Sequence, residues 1–418
     1  MIRRSPLMLA ASLAVVAALS ATPLPAVAKE KKAESAEAAK PKLSKPFTPA
    51  YSAAQKAIEA GDAAAIKPAL EAAKAAVATE DDRYVAGTLY IQASSKLKDT
   101  SLQAEGLNLV LASTFTPPAQ RRQYSFFAGL ADYQAGNAQA ALPKLTAAYD
   151  GGYRENDIEV VIAEAYGKAG DAAQSTAWME KAIAAKTAAG GAVPEAWLKR
   201  QVAVAYNAKN YPTALSSMSK LTEAYPTQAN WRDMLKIYRE SVKLDNGDNL
   251  DVLRLMRAAG ALRGQADYAE YAEMADGRLL PGEVAAVLRE GEAAGQLGGS
   301  AFLKDEMTAA ADRTAADKAA LPTREATARS APEARIALAT ADGYLGHGSY
   351  AKAIEFYDVA IQKGGALAER AKLRKGIALA LSGDKAAAEQ SLAAVQGGSK
   401  QQIASYWRLW LQKGSSAS

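Results

Sequence analysis

Apolar and polar residues along most of the chain follow the spacing of amphipathic helices separated by short turns. From residue 47 onward, alanine, leucine, glutamate, lysine and glutamine dominate, and these residues favour helix. Segments of alternating β-branched and polar residues, which would indicate strands, are missing. Turn sequences such as AGD, AGN, AKN, GHGS and SGD recur between the helical stretches. The pattern predicts an all-α protein.

The turns recur at a regular interval. Gly136 and Gly170 lie 34 residues apart, and Gly348 and Gly383 lie 35 residues apart. A helix, a turn and a second helix repeated at this interval indicate stacked helix pairs, because one pair of short helices cannot cover its own apolar face. Larger residues at the positions where neighbouring helices touch would then disturb the packing between those helices.

The repeats resemble the tetratricopeptide repeat at its packing positions. That family favours a small residue at position 8, large residues at positions 11 and 24, and alanine at positions 20 and 27. The repeat around Gly348 matches at all five positions, with Ala341, Tyr344, Ala353, Tyr357 and Ala360. The other repeats match in part, at Gly129, Ala141, Leu145, Ala163, Met179, Gly376, Ala388 and Leu392. The resemblance implies an α-solenoid of stacked helix pairs, and says little about function because these residues pack the array.

The pattern divides the chain into five segments. They are a signal peptide (1–28), a disordered basic linker (29–46), an N-terminal repeat array (47–228), divergent helical repeats with a connection (229–330), and C-terminal repeats with a capping helix (331–418). Residues 308–332 contain few large apolar residues and are interpreted as an exposed connection, either a long exposed helix or a hinge.

The first 28 residues have the order of a secretory signal peptide. Arg3 and Arg4 precede an apolar run at 7–21, and Ala26-Val27-Ala28 supplies small residues for cleavage. A retained membrane anchor is the alternative, but the run is shorter than the ~20 residues that span a bilayer. No cysteine follows that could carry a lipid. The sequence predicts a periplasmic protein that begins at Lys29 and is not a lipoprotein.

Charge argues against a nucleic-acid partner. The net charge is +5. Arg3 and Arg4 contribute +2, and six lysines against three glutamates in residues 29–46 contribute +3, so the remainder is neutral. Nucleic-acid binding requires a concentrated basic surface. The basic linker is interpreted as a spacer, with a weak electrostatic tether to the envelope as the alternative.

Candidate catalytic and metal-binding residues are few. The chain has no cysteine and one histidine, His347, at a turn where a solvated side chain is expected. These counts exclude Cys/His catalysis and ordinary zinc sites. Asp245, Asp248 and Asp251 lack EF-hand spacing and are interpreted as turn and N-cap residues. We expect no enzyme activity, cofactor or metal.

The resemblance places a partner-binding groove on the first helix of each pair. The positions that face this groove include Phe126, Tyr133, Gln134, Val160, Glu164, Lys168, Lys199, Tyr206 and Asn207. Aromatic anchors among polar residues suit an extended peptide or a helix. The alternative is that Tyr133 and Tyr206 only pack between helices.

These features predict a periplasmic scaffold that binds a peptide or a partner protein, of unknown identity, in the groove. The alternative function is glycan binding in cell-wall or polysaccharide assembly. Tyr406, Trp407 and Trp410 near the C-terminus are interpreted as part of a capping helix, with a docking element as the alternative.

Overall fold

The computed structural model describes residues 40–417, so the predicted signal peptide and the first part of the predicted linker lie outside the described residues. The described chain forms helices joined by short turns, with one isolated bridge between Thr227 and Ser416 and no strand. The predicted all-α class is confirmed. The chain divides into two compact units, residues 40–192 (unit 1) and 193–417 (unit 2).

Unit 1 consists of four antiparallel helix pairs. Its helices are α1 (Phe47–Ala60), α2 (Ala63–Ala75), α3 (Glu80–Leu97), α4 (Thr100–Ala112), α5 (Pro118–Gln134), α6 (Ala138–Asp150), α7 (Ile158–Lys168) and α8 (Ala172–Ala188). Odd-numbered helices come first in each pair. Each pair is stacked on the next, with buried apolar residues between them.

Unit 2 contains five pairs and two unpaired helices. Its helices are α9 (Glu195–Asn207), α10 (Tyr211–Ala224), α11 (Gln228–Ser241), α12 (Asn246–Ala258), α13 (Gly264–Ala275), α14 (Pro281–Ala293), α15 (Ala301–Ser330), α16 (Ala334–Gly346), α17 (Tyr350–Lys363), α18 (Ala368–Ser382), α19 (Lys385–Ala393) and α20 (Gly398–Lys413). The helices α15 and α20 belong to none of the five pairs, but α15 packs along α14 and α16. The segment predicted as a connection or a long helix is helix α15.

The four predicted turn glycines all lie between the two helices of a pair. Their φ angles are 88° at Gly136, 87° at Gly170, 68° at Gly348 and 91° at Gly383. Glycine adopts this left-handed conformation without the steric cost of a Cβ atom. The repeat spacing inferred from these residues is confirmed.

Residues 40–46 are held in place, unlike the disordered segment expected there. The backbone N–H of Lys42 donates to Asp81 (2.7 Å) and that of Ser44 donates to Asp82 (2.9 Å). Thr79 and Asp82 also form a capping box at the start of α3. The acidic residues of α3 therefore fix the chain that enters unit 1.

The last helix returns to the beginning of unit 2. The indole N–H of Trp231 in α11 donates to the carbonyl of Gly414 (2.9 Å), and Gln228 N–H donates to Ser416 (2.9 Å). Trp407 is fully buried, and its indole N–H donates to the carbonyl of Asp251 (3.3 Å). Helix α20 thus packs on α18 and α19 and also contacts α12; its interpretation as a capping helix stays a prediction.

Close contact within a pair should make Gly129 intolerant of side chains. A Cβ atom added there would lie 2.7 Å from Cγ of Leu145. We expect Gly129→Val to lower the free energy of unfolding by about 1–3 kcal/mol, because an added side chain overpacks the interface. Urea denaturation of the full chain measures this. Ala140→Val, on the exposed face of α6, is the control and should change stability far less; equal effects would contradict the packing argument.

Candidate functional site

The predicted partner-binding residues fall in both units. Tyr133 and Gln134 of α5 and Glu164 and Lys168 of α7 belong to unit 1 and are called the unit-1 patch below. Lys199, Tyr206 and Asn207 of α9 belong to unit 2. The two groups are therefore considered separately.

Three residues of the unit-1 patch meet on successive first helices. The hydroxyl of Tyr133 donates to Oε2 of Glu164 (2.6 Å). The Nζ atom of Lys168 lies 3.9 Å from the centroid of the Tyr133 ring, which is cation–π geometry. Tyr133 and Glu164 are half-buried, while Gln134 and Lys168 are exposed. The patch is thus an accessible surface whose tyrosine is held by two neighbours.

Phe126 does not belong to this surface. Its side chain is 1% exposed, and its ring is stacked on Tyr153 with centroids 4.6 Å apart. Phe127 packs against its edge at 5.4 Å. Phe126 is therefore a core residue, and its assignment to the partner-binding groove was wrong.

The unit-2 candidates form a looser arrangement. The hydroxyl of Tyr206 donates to Oε2 of Glu240 in α11 (3.2 Å), and the carboxylate raises the pKa of Tyr206. Lys199 is exposed and pairs with Glu195 within its own helix (2.9 Å). Asn207 is exposed at the end of α9. Like Tyr133, Tyr206 is half-buried and joins two successive first helices.

A second aromatic cluster in unit 1 was not predicted from the sequence. The ring of Tyr84 lies 5.3 Å from that of Phe115, and its hydroxyl donates to Gln120 (2.5 Å). Burial raises the pKa of the neighbouring Tyr124 to about 12. Because Lys98 rather than glycine makes the turn between α3 and α4 (φ 55°), the turn spacing gave no signal for this pair.

Unit 2 contains a buried charge network formed by Asp251, Arg254, Glu283, Asp342 and Arg374. Arg254 donates to both oxygens of Glu283 (2.8 and 2.7 Å) and to Asp251 (2.8 Å). Arg374 donates to Asp251 (3.1 Å) and to Asp342 (2.5 Å). Asp251 is fully buried, and Arg254, Glu283 and Arg374 are at most 5% exposed as residues.

The pairing of carboxylates with arginines in this network indicates that these residues have a structural role. Burial alone would raise the pKa of Glu283, but Arg254 and the Tyr271 hydroxyl outweigh it and hold the pKa at about 2. Perturbed carboxylates in a cleft can mark an active site. Here each carboxylate faces an arginine inside the packed unit, as in a buried ion-pair network.

The three aspartates of the NGD segment act as caps and ion-pair partners. Asp245 accepts the backbone N–H of Asp248 (2.8 Å) and caps α12, which confirms the N-cap interpretation. Asp248 pairs with Arg370 (3.0 Å) and Lys400 (3.1 Å). These contacts and those of Asp251 give each of the three carboxylates hydrogen-bond or ion-pair partners within unit 2.

His347 is not the solvated residue expected from the sequence. Its side chain is 5% exposed, and Nε2 lies 2.9 Å from Oδ2 of Asp317 in α15. The turn that follows α16 packs against α14, since a Cβ atom on Gly282 would lie 2.5 Å from the histidine ring. The contact buries the ring between helices.

Within residues 40–417, no group of three or more histidine and carboxylate side chains has the geometry to hold a metal ion. Over the same range, no helix combines the length and the apolar character needed for a membrane crossing.

Comparison with known proteins gives structural likenesses only. No family model matches the chain, and no curated protein matches it. A structure of Naa15/Naa10 bound to HypK-THB is similar at 13% identity, covering 87% of this chain and 68% of that one (TM-score 0.31). Yeast Tom70 is similar at 10% identity, covering 88% of this chain and 96% of the Tom70 chain (TM-score 0.23). The TPR2AB domain of yeast Sti1 is similar at 15% identity, covering 70% of this chain and 99% of the Sti1 chain (TM-score 0.18).

The internal geometry identifies the fold. In the repeat around Gly383, Gly376 at position 8 lies directly against Leu392 at position 24, as Gly129 lies against Leu145. The chain is an all-α repeat protein whose helix pairs resemble the tetratricopeptide repeat at these packing positions. Its paired helices place Tyr133 and Glu164 on neighbouring first helices, 31 residues apart.

The buried charge network makes a specific prediction for the stability of this helical repeat. We expect Arg254→Met to lower the free energy of unfolding by about 3–5 kcal/mol, because it leaves Glu283 and Asp251 buried without their shared partner. Chemical denaturation of the full chain measures the loss.

Arg278→Met is the matched control for this substitution. Arg278 pairs with Asp276 (2.8 Å), but its side chain is 79% exposed. An exposed pair contributes little to stability because water screens it, so we expect a much smaller loss. Similar losses in the two variants would show that burial does not determine the contribution of Arg254.

Proposed function

We propose that the chain is an exported, non-catalytic scaffold that binds a peptide segment of a partner protein on the unit-1 patch. The observation that carries this proposal is the contact of Tyr133 with Glu164 and Lys168 on successive first helices. Tyrosines flanked by polar groups are typical anchors of protein interfaces. The patch offers an aromatic ring, a carboxylate and an ammonium group to one ligand.

The arrangement of Tyr133 supports binding because it reduces the entropy that a ligand must remove. Its hydroxyl is bonded to Glu164, and Lys168 lies over its ring, so the side chain is already restricted. Ordering a mobile side chain at an interface costs about 0.5–1.5 kcal/mol. A restricted tyrosine therefore serves as an anchor at lower cost.

The proposed location outside the cytoplasm rests on the order of residues in the first 28 positions. A positive segment, an apolar run and the small residues Ala26-Val27-Ala28 are what a signal peptidase substrate requires. An exported scaffold without cysteine depends on its apolar core rather than on disulfides for stability.

Glycan binding is a second candidate function. It is favoured by one separate feature, a groove in unit 2 whose lining is rich in hydroxyl groups.

Loss of the unit-1 anchor should weaken peptide binding. Peptides selected from a random display library against the full mature chain provide ligands of defined sequence. We expect Tyr133→Ala and Lys168→Ala each to weaken their binding by ~1–2 kcal/mol, measured by calorimetry.

Lys181→Ala is the matched control for Lys168→Ala. Lys181 also lies 3.9 Å from an aromatic ring, that of Trp178, but on the second helix α8. It should leave peptide affinity unchanged. If the Tyr133 variant melts far below the wild type, the tyrosine is a packing residue; if the selected peptides bind all variants equally, the patch is not the site.

The exported form should begin at Lys29. Expression in a bacterial host with a periplasm, followed by N-terminal sequencing of the released protein, measures this. Cleavage after Ala28 is expected because small residues occupy both recognition positions. Recovery of the chain with Met1 in the membrane fraction would contradict the proposed export.

A further inference from the structure

Unit 2 contains a groove between α10 and α20 that none of the contacts described above uses. Its volume is about 920 Å³, near the upper end of the ~300–1,000 Å³ typical of ligand sites. One face of α10, from Tyr211 to Glu223, forms one wall, and residues of α20 from Gly398 to Leu409 form the other. Tyr238, Ser241 and Val242 at the end of α11 form the floor.

An ion pair joins the C-terminal ends of α10 and α20. Glu223 near the end of α10 pairs with Lys413 at the end of α20 (3.4 Å). Near the N-terminal ends of the two helices, Tyr211 and Gly398 line the groove. At 1.5 Å per helical residue, the wall from Tyr211 to Glu223 is about 18 Å long. This length suits a short linear ligand.

Aromatic side chains keep the groove open within the folded unit. The rings of Tyr238 in α11 and Tyr406 in α20 meet edge to face with centroids 5.2 Å apart. They are 2% and 3% exposed, so they are fixed by packing. Because two bulky rings separate α20 from α11, the groove exists before a ligand binds.

The lining is unusually rich in serine. Five of the sixteen lining residues are serines, whereas the whole chain has 26 serines among 418 residues; the five are Ser216, Ser219, Ser241, Ser399 and Ser405. Serine favours helix less than alanine does. On the long helix α15, the chain instead places alanine at exposed positions 315, 316 and 319. The groove therefore carries serine on helices, whereas the exposed face of α15 carries alanine, the better helix former. Such departures from helix preference are often found at binding sites.

The hydroxyl protons of four of these serines are already engaged. Ser219 donates to the carbonyl of Leu215 (3.0 Å), and Ser405 donates to that of Gln402 (2.7 Å). Ser241 donates to the carbonyl of Tyr238 (3.3 Å), and Ser399 donates to Asp248. Their oxygens can accept hydrogen bonds. That of Ser405 already accepts one from Nε2 of Gln402 (3.1 Å) and keeps its second lone pair. The groove therefore favours a ligand rich in donors.

Charge and apolar surface restrict the ligand further. Lys220 and Glu223 are the two charged residues of the lining, and their charges cancel. Leu215, Val242 and Leu409 supply apolar contacts between the hydroxyl groups. An extended peptide carries one carbonyl acceptor for each N–H donor, and the engaged serines cannot serve those carbonyls. A carbohydrate carries many O–H donors and an apolar ring face, and fits this lining better.

We propose that the groove between α10 and α20 binds a neutral oligosaccharide. This site is distinct from the unit-1 patch, and the proposal rests on the second candidate function, glycan binding, rather than on the peptide binding proposed for that patch. Acceptors on Ser219 and Ser405, on opposite walls, would bind sugar hydroxyls, and the aromatic and aliphatic residues would contact the sugar rings.

Calorimetric titration of the full mature chain with cellotetraose, maltotetraose and chitotetraose tests the proposal. We expect at least one of the three to bind. The double variant Ser219→Ala/Ser405→Ala should bind that sugar about tenfold more weakly, because two hydrogen bonds are lost. Ser216→Trp, which places a bulky ring at the groove wall, should abolish binding.

Ser382→Ala is the matched control. Ser382 is exposed in α18 of the same unit and donates to the carbonyl of Leu379 (2.9 Å), but does not line the groove. It should bind the sugar as the wild type does, and so should Tyr133→Ala. Because alanine favours helix more than serine does, the melting temperatures of the serine-to-alanine variants should be at or above that of the wild type.

Three results would overturn the proposal. The first is that none of the three sugars binds the wild-type chain. The second is that the groove variants bind the sugar as tightly as Ser382→Ala does. The third is that a selected peptide, rather than a sugar, loses affinity in the groove variants, which would identify a second peptide site.

Discussion

The close approach of the two helices within each pair is the constraint on which the rest of the structure depends. A Cβ atom on Gly129 would lie 2.7 Å from Leu145, and one on Gly376 would lie 2.5 Å from Leu392. The pair α3/α4 uses glycine on both helices, since a Cβ atom on Gly87 would lie 2.8 Å from the carbonyl oxygen of Gly106. Such contacts fix how far apart the two helices of a pair can lie. They also fix which residues remain on the outer faces to meet the next pair.

Repetition of the pair brings equivalent positions of neighbouring pairs opposite each other. Tyr133 and Glu164 are 31 residues apart, Tyr206 and Glu240 are 34 apart, and Arg254 and Glu283 are 29 apart. The same relationship gives different results according to burial. Around Arg254, which is 3% exposed, it produces a buried ion-pair network that holds helices together. Around Tyr133, next to the exposed Lys168, it produces a surface that a ligand can reach. Exposure, rather than residue type alone, separates the structural contacts from the candidate binding contacts.

The sequence predicts those parts of the fold that depend on local chemistry. Glycine at a turn and small residues opposite large ones recur at a fixed interval, so the pairs around Gly136, Gly170, Gly348 and Gly383 could be recognised. The pair α3/α4 turns instead at Lys98 (φ 55°) and carries no such mark, whereas the pair α9/α10 turns at Lys209 (φ 56°) within the turn sequence AKN. The burial of Phe126 depends on Tyr153, which follows the next helix, and a groove position alone does not reveal that contact. Contacts such as Arg374 with Asp251, 123 residues apart, lie outside any pattern of one repeat.

The end of unit 2 shows how one set of contacts can serve both stability and binding. A stack of helix pairs leaves an apolar face on its last member, which must be covered. Here Trp407 and Trp231 draw α20 back onto α11 and α12, across 156 and 183 residues of sequence. Tyr238 and Tyr406 meet in the same interface and keep α20 from closing fully on α11. The residues that cover the end of the stack therefore also create the groove beside α10. The indole hydrogen bonds that hold α20 against α11 and α12 do not involve these two tyrosines. The groove is therefore lined in part by side chains that those hydrogen bonds do not require.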